Sequence, residues 1–162
     1  MKTKIFTKLK KEPRAQSLVE LAISLMIMLL LLLGAVEFSL ALFQYVTIRD
    51  AAQEGAIYGS INPVELKPDG ITKHQDGIKY RAVAAASDVL GNQLTIADVS
   101  VFPPPDSPLL CEGLTNGVPN SITVTITFAH PITFPIVGPM IGSNTINLTA
   151  RVTNTILQPT CP

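Results

Sequence analysis

Hydrophobic and polar positions divide the chain into two unlike parts. From Leu21 to Val36, 16 successive residues carry no charge, and most are Leu, Ile or Met. As a helix this run is about 24 Å long, slightly short of a ~30 Å hydrocarbon core. Extending it to Leu18 and Phe43 covers the bilayer but takes in Glu20 and Glu37. Both acids then fall near the interfaces, where a carboxylate costs far less than at the centre. Glu37 reads either as an interfacial residue of a solvated helix or as a packing or assembly contact within the membrane.

The pattern changes after Phe38 but does not stop. Phe38, Ala41, Leu42, Tyr45, Ile48, Ala52 and Ile57 keep a helical spacing, with Gln44, Thr47, Arg49, Asp50, Gln53 and Glu54 between them. Proline is absent between Pro13 and Pro63, and Asn62-Pro63 is a stop signal. One helix from about Gln16 to Tyr58 is therefore expected, roughly 64 Å long. Ala51, Ala52, Gly55, Ala56 and Gly59 read as a small-residue face for close packing on a sheet. Asp50 and Glu54 lie four apart with like charge, so they call for a nearby cation or a solvated face.

Beyond residue 60 the periods shorten. Pro63 to Gly77 reads as a loop. Asp76 to Leu90 reads as a second helix, with Ile78, Ala82, Ala85, Ala86 and Val89 as its apolar stripe and Gly91 as its C-cap. Leu94 to Phe102 reads as a strand whose alternation slips near Ala97-Asp98, as at a bulge. Ser121 to Ala129 alternates cleanly: Ile122, Val124, Ile126 and Phe128 against Thr123, Thr125 and Thr127. Pro131 to Gly142 is apolar but holds Pro131, Pro135, Gly138 and Pro139, so it reads as a hairpin-like loop rather than a central strand. Thr145 to Leu157 is the last expected strand. The fold class is α+β: a long N-terminal transmembrane helix, transmembrane over about 18–43, continuing into a small outer domain over 61–162. That domain holds one short helix and an antiparallel sheet of about three strands, with the helices on one sheet face.

Charge placement adds topology. Lys2, Lys4, Lys8, Lys10, Lys11 and Arg14 stand against Glu12 alone, so residues 1–15 carry +5 and, in a chain of net charge zero, residues 16–162 carry −5. The basic leader predicts a cytoplasmic N-terminus with the C-terminal domain outside. A mildly acidic, aromatic-poor remainder argues against a nucleic-acid binder, which would carry a basic patch with stacking aromatics. In an oxidising compartment Cys111 and Cys161 can form a disulfide, closing a loop of about 50 residues worth roughly 4 kcal/mol. Two unrelated thiols are the other reading. His74 and His130 are far apart, and neither they nor the serines form a recognisable catalytic or metal-binding pattern, so no enzyme activity and no cofactor are expected. Small residues at Ser39-Leu40-Ala41 suit a signal-peptide cut, but the apolar run is too long for that reading and the helical period continues past Ala41.

Three stretches taken together carry a family resemblance. They are Arg14-Ala15-Gln16-Ser17-Leu18-Val19-Glu20, the leucine run ending Gly34-Ala35-Val36-Glu37-Phe38, and Asp50-Ala51-Ala52-Gln53-Glu54-Gly55-Ala56. With them the chain resembles the TadE-like family of tight-adherence pilus-assembly proteins. That resemblance implies a pseudopilin: a pilin-like subunit of a type IV pilus or secretion system, single-pass in the bacterial inner membrane and cut by a prepilin peptidase on the cytoplasmic side. Its implied partners are the membrane, the peptidase, an inner-membrane assembly platform and other pilin-like subunits, in homo- or hetero-oligomers that leave as an extracellular filament. The family pattern implies a cut between Ala15 and Gln16, with Glu20 as the fifth mature residue. Glu20 then either pairs with the new ammonium of a neighbouring subunit or simply marks the inner interface. The chain departs from the pattern at Ala15, where glycine is usual, and at Leu21, where an aromatic often follows the acid. The alternative is an uncleaved single-span protein whose outer domain binds a ligand. An anchored enzyme is disfavoured for want of a catalytic constellation.

Overall fold

The computed structural model describes residues 13–66, 73–107, 114–115, 118–134, 138–139 and 142–157. Helix α1 runs from Pro13 to Ile61, 49 residues and about 74 Å. It exceeds the expected Gln16–Tyr58 by one turn at each end. Pro13 suits the first turn, whose N–H groups have no intrahelical partner in any case. At the other end Asn62 N–H donates to Tyr58 O at 2.9 Å before buried Pro63 ends the helix.

Helix α2 spans Asp76–Leu90, as the sequence pattern predicts, and Gly91 caps it with φ 57° and its N–H on Ser87 O. Its buried stripe is Ile78, Ala82, Ala86 and Leu90, while Val89 is half-exposed. Ala85 is exposed too, so the stripe turns slightly from the expected one.

The main sheet holds β3 (Val99–Phe102), β6 (Ser121–Pro131) and β7 (Thr145–Thr155), antiparallel in the order β3-β6-β7. Central β6 pairs with β7 along its whole length, from Ser121↔Thr155 to Pro131↔Thr145. Ile122, Val124, Ile126 and Phe128 face the core, as their alternation requires. On the opposite face Thr123 is also buried, and its hydroxyl meets that of Thr153 at 2.8 Å. The expected strand from Leu94 is shorter. Ile96–Asp98 forms a 3₁₀ turn closed by a Thr95–Asp98 capping box, and this turn accounts for the slipped alternation without a bulge. The region expected to be loop from Pro63 to Gly77 contains a two-residue ladder, β1 (Glu65–Leu66) with β2 (Lys73–His74). A second such ladder pairs β4 (Leu114–Thr115) with β5 (Val118–Pro119).

Both helices pack on one sheet face. Ile48, Ala51, Ala52 and Ala56 of α1 join Ile78, Ala82 and Ala86 of α2 over the β6 side chains. Two glycines lie where three elements meet, with little room for a Cβ. A Cβ on Gly55 would lie 3.0 Å from Ala82 Cβ and 3.4 Å from Ile78 O, and one on Gly59 would lie 2.9 Å from Ile122 Cδ1. The expected cation for the Asp50/Glu54 pair is Arg81 of α2, whose Nη2 lies 2.6 Å from Glu54 Oε1. Exposed as it is, that pair contributes at most about 1 kcal/mol.

Gln75, just ahead of α2, is buried and donates through Nε2 to Pro63 O and Pro103 O, at 3.1 and 3.0 Å. It thereby ties the end of α1 to the end of β3.

The two glycines should respond differently to substitution. Gly55 faces backbone and a short rigid side chain, so Gly55→Val should destabilise by about 1–3 kcal/mol through overpacking. Gly59 faces the terminal methyls of Ile122 and Ile78, and the helix propensity gained in Gly59→Ala, about 1 kcal/mol, should offset most of its crowding. Thermal unfolding of the full chain in detergent checks the order.

Candidate functional site

The sequence-marked residues occupy two stations on α1. At the first, the helical backbone passes through Ala15 and Gln16, and Glu20 is exposed one turn further on. Every residue from Gln16 to Val36 is exposed. This is the one helix among those described that is long and apolar enough to cross a membrane. Gln16–Val36 would measure about 31 Å, close to a hydrocarbon core. Ala15–Gln16 lies in the first turn, whose N–H groups lack helical partners, so the backbone there unwinds at little cost.

The second station is Glu37, 17 residues and about 26 Å of helix beyond Glu20. The structure therefore does not bring the two acids together. Glu37 is engaged by its own chain. Thr133 N–H donates to Oε1 at 2.9 Å and the Thr133 hydroxyl donates to Oε2 at 2.8 Å. His130 of β6, only 3% exposed, faces α1. Its Nδ1 lies 2.6 Å from Gln44 Oε1, and its Nε2 lies 3.4 Å from Glu37 Oε1. With Nδ1–H donated to Gln44, Nε2 faces the carboxylate without a hydrogen bond, a buried polar atom left over.

Elements far apart in sequence build this station. Glu37 and Gln44 are seven apart, hence on one helix face. β6 runs antiparallel to the direction of α1 and delivers His130 and Thr133 as it ends, and Ile132 N–H to Asn144 O at 2.9 Å closes the hairpin just past the strands. Nothing local marks His130 or Thr133 in the sequence, since Thr133 is 96 positions from Glu37. The clue available was negative: an interfacial acid that needed a partner. Cys111 and Cys161 lie outside the described residues, and so does the side chain of Ala15. Among the described residues there is no cluster of three or more His, Cys, Asp or Glu able to hold a metal ion.

Residues 15–56 match a family model described as TadE-like protein. The match covers Ala15, Gln16, Glu20 and Glu37 and ends before α2 and the sheet. It is the resemblance read from the sequence, shown over 42 of 162 residues. No curated protein and no solved structure matches the chain.

Glu37→Ala should leave both Thr133 donors without their carboxylate, whereas Glu37→Gln keeps an acceptor and offers Nε2 a donor. The alanine variant should lose about 1 kcal/mol locally, seen as roughly five-fold faster amide exchange at Thr133. The glutamine variant should exchange more slowly than the alanine one.

Proposed function

We propose that the protein is a pseudopilin-like subunit of tight-adherence pilus assembly, non-catalytic, anchored by α1 in the bacterial inner membrane with residues 1–15 cytoplasmic. One observation carries this reading: the TadE-like stretch opens with an exposed apolar helical segment, Gln16–Val36, whose one carboxylate, Glu20, is the fifth residue after the Ala15–Gln16 bond. Cleavage there by a prepilin peptidase would remove the basic leader and create an ammonium at Gln16. Glu20 of a neighbouring subunit would pair with it, offsetting the cost of holding the two charges in lipid. Such a pair sets the register of helices side by side in lipid. The partners on this reading are the peptidase, an inner-membrane platform and further pilin-like subunits.

The engagement of Glu37 by Thr133 supports a revised lipid boundary. A peptide N–H and a buried imidazole belong outside the hydrocarbon, so the span runs from about Gln16 to Val36 rather than over 18–43. Glu37 then belongs to the outer interface and acts within the subunit. Cys111 and Cys161, on the periplasmic or extracellular side, would form the disulfide.

Ala15, with its methyl where the family pattern has glycine, favours a second reading: an uncleaved anchor with an outer ligand-binding domain.

Intact mass and N-terminal sequence of the membrane-extracted chain, co-expressed with its own prepilin peptidase, separate the two. The expected product starts at Gln16, and Ala15→Gly should raise the processed fraction. A chain that keeps its leader in both versions means the uncleaved anchor. Glu20→Gln should still be cut but should enter co-assembled filaments less; unchanged processing and incorporation would remove the pairing role.

A further inference from the structure

We infer that the described parts of the β6–β7 connection, Ile132–Phe134 and Pro139, form a second membrane contact, a lip that rests in the headgroup layer of the outer leaflet beside α1. This rests on the reading of α1 as a membrane span. The height of the lip follows from Glu37. Thr133 is bonded to that carboxylate through both its N–H and its hydroxyl, and Glu37 directly follows Val36, the last residue of the uncharged run. Interfacial layers add about 6 Å on each side of the hydrocarbon, some four residues of helix. Thr133 therefore lies within that layer.

The chemistry of the lip suits the place. The chain is 15% charged overall, yet it has no Asp, Glu, Lys or Arg from Pro131 to Ala150. A surface loop facing water would ordinarily carry some. Ile132 and Phe134 flank Thr133 and are part-exposed, and Pro139 is exposed. Among the described residues, Gly142 N–H donates to Gly138 O at 2.9 Å and Ile132 N–H to Asn144 O at 2.9 Å, so these backbone groups are paired before they meet an apolar medium. A lipid surface fits this combination of height, missing charge and paired backbone.

The chain contains no tryptophan, so single tryptophans report depth directly. Four full-length variants would be placed in phosphatidylcholine/phosphatidylglycerol vesicles, with and without bromine near the top of the acyl chains: Phe134→Trp and Pro139→Trp in the lip, Leu29→Trp in the span and Phe102→Trp as the aqueous control. Phe102 is exposed and pairs with Thr123, eight residues of β6 and about 26 Å from Pro131. Folding of each variant is confirmed by its thermal transition. The lip tryptophans should emit at least about two-fold less in brominated lipid, as an interfacial indole would, while Phe102→Trp is unchanged. If Leu29→Trp is quenched and both lip variants behave like Phe102→Trp, the lip sits in water or against protein and the inference is overturned. A blue-shifted lip emission that bromine does not reduce also overturns it, in favour of burial against protein. If Leu29→Trp itself is not quenched, the membrane reading of α1 fails and this inference falls with it.

Discussion

The outer domain leans on the close approach between the C-terminal half of α1 and the two elements that cover it. A three-stranded sheet and a 15-residue helix make a thin core by themselves, and small domains gain little from burial alone. Here the core is completed by Ile48, Ala51, Ala52 and Ala56 of a helix that belongs to two environments at once. Gly55 and Gly59 let α2 and β6 reach the helix backbone. Everything further out, including the position of the β6–β7 hairpin, inherits its geometry from that seam.

From the seam the hairpin is carried down to Glu37. The helix from Glu37 to Ser60 rises about 35 Å, and eleven-residue strands are about 36 Å long. The two lengths match, and the ends are fastened. Glu37 holds Thr133 at one end, and at the other Leu157 N–H donates to Ser60 O at 2.8 Å, satisfying one of the carbonyls that the helix terminus leaves open. An acid that would be a burden within lipid thus becomes the acceptor that the end of β6 needs. Position on the helix decides between those outcomes.

Much of this was legible in the residues. Periodicity fixed α2 to its terminal residues, and the Ile/Val/Thr alternation of β6 declared its buried face. The small residues of α1 announced a close neighbour, and the Asp50/Glu54 repulsion called for a cation or a solvated face; Glu54 has Arg81 and Asp50 is exposed. Two local signals were open to misreading. Thr95-Ile96-Ala97-Asp98 has the spacing of a capping box, and taking it as strand hid the 3₁₀ turn. Val89 looked apolar enough for the core but lies on the outer side of α2. The contacts among Glu37, Thr133, His130 and Gln44 had no local signature, because they depend on where a hairpin ends relative to a helix. Gln75 escaped notice for the same reason: its value lies in bonding two proline carbonyls that come from different parts of the chain.

Fastening the sheet to α1 at both ends has a mechanical consequence. β6 and β7 lie along the helix rather than across it, so a pull directed down the helix axis loads the seam in shear. Such a load is shared by the whole row of interlocked side chains from Gln44 to Gly59, and by the bonds at either end. A pull across the axis would instead peel the hairpin from one end, breaking one contact at a time. The domain is therefore built to be stiff along its anchor and compliant sideways.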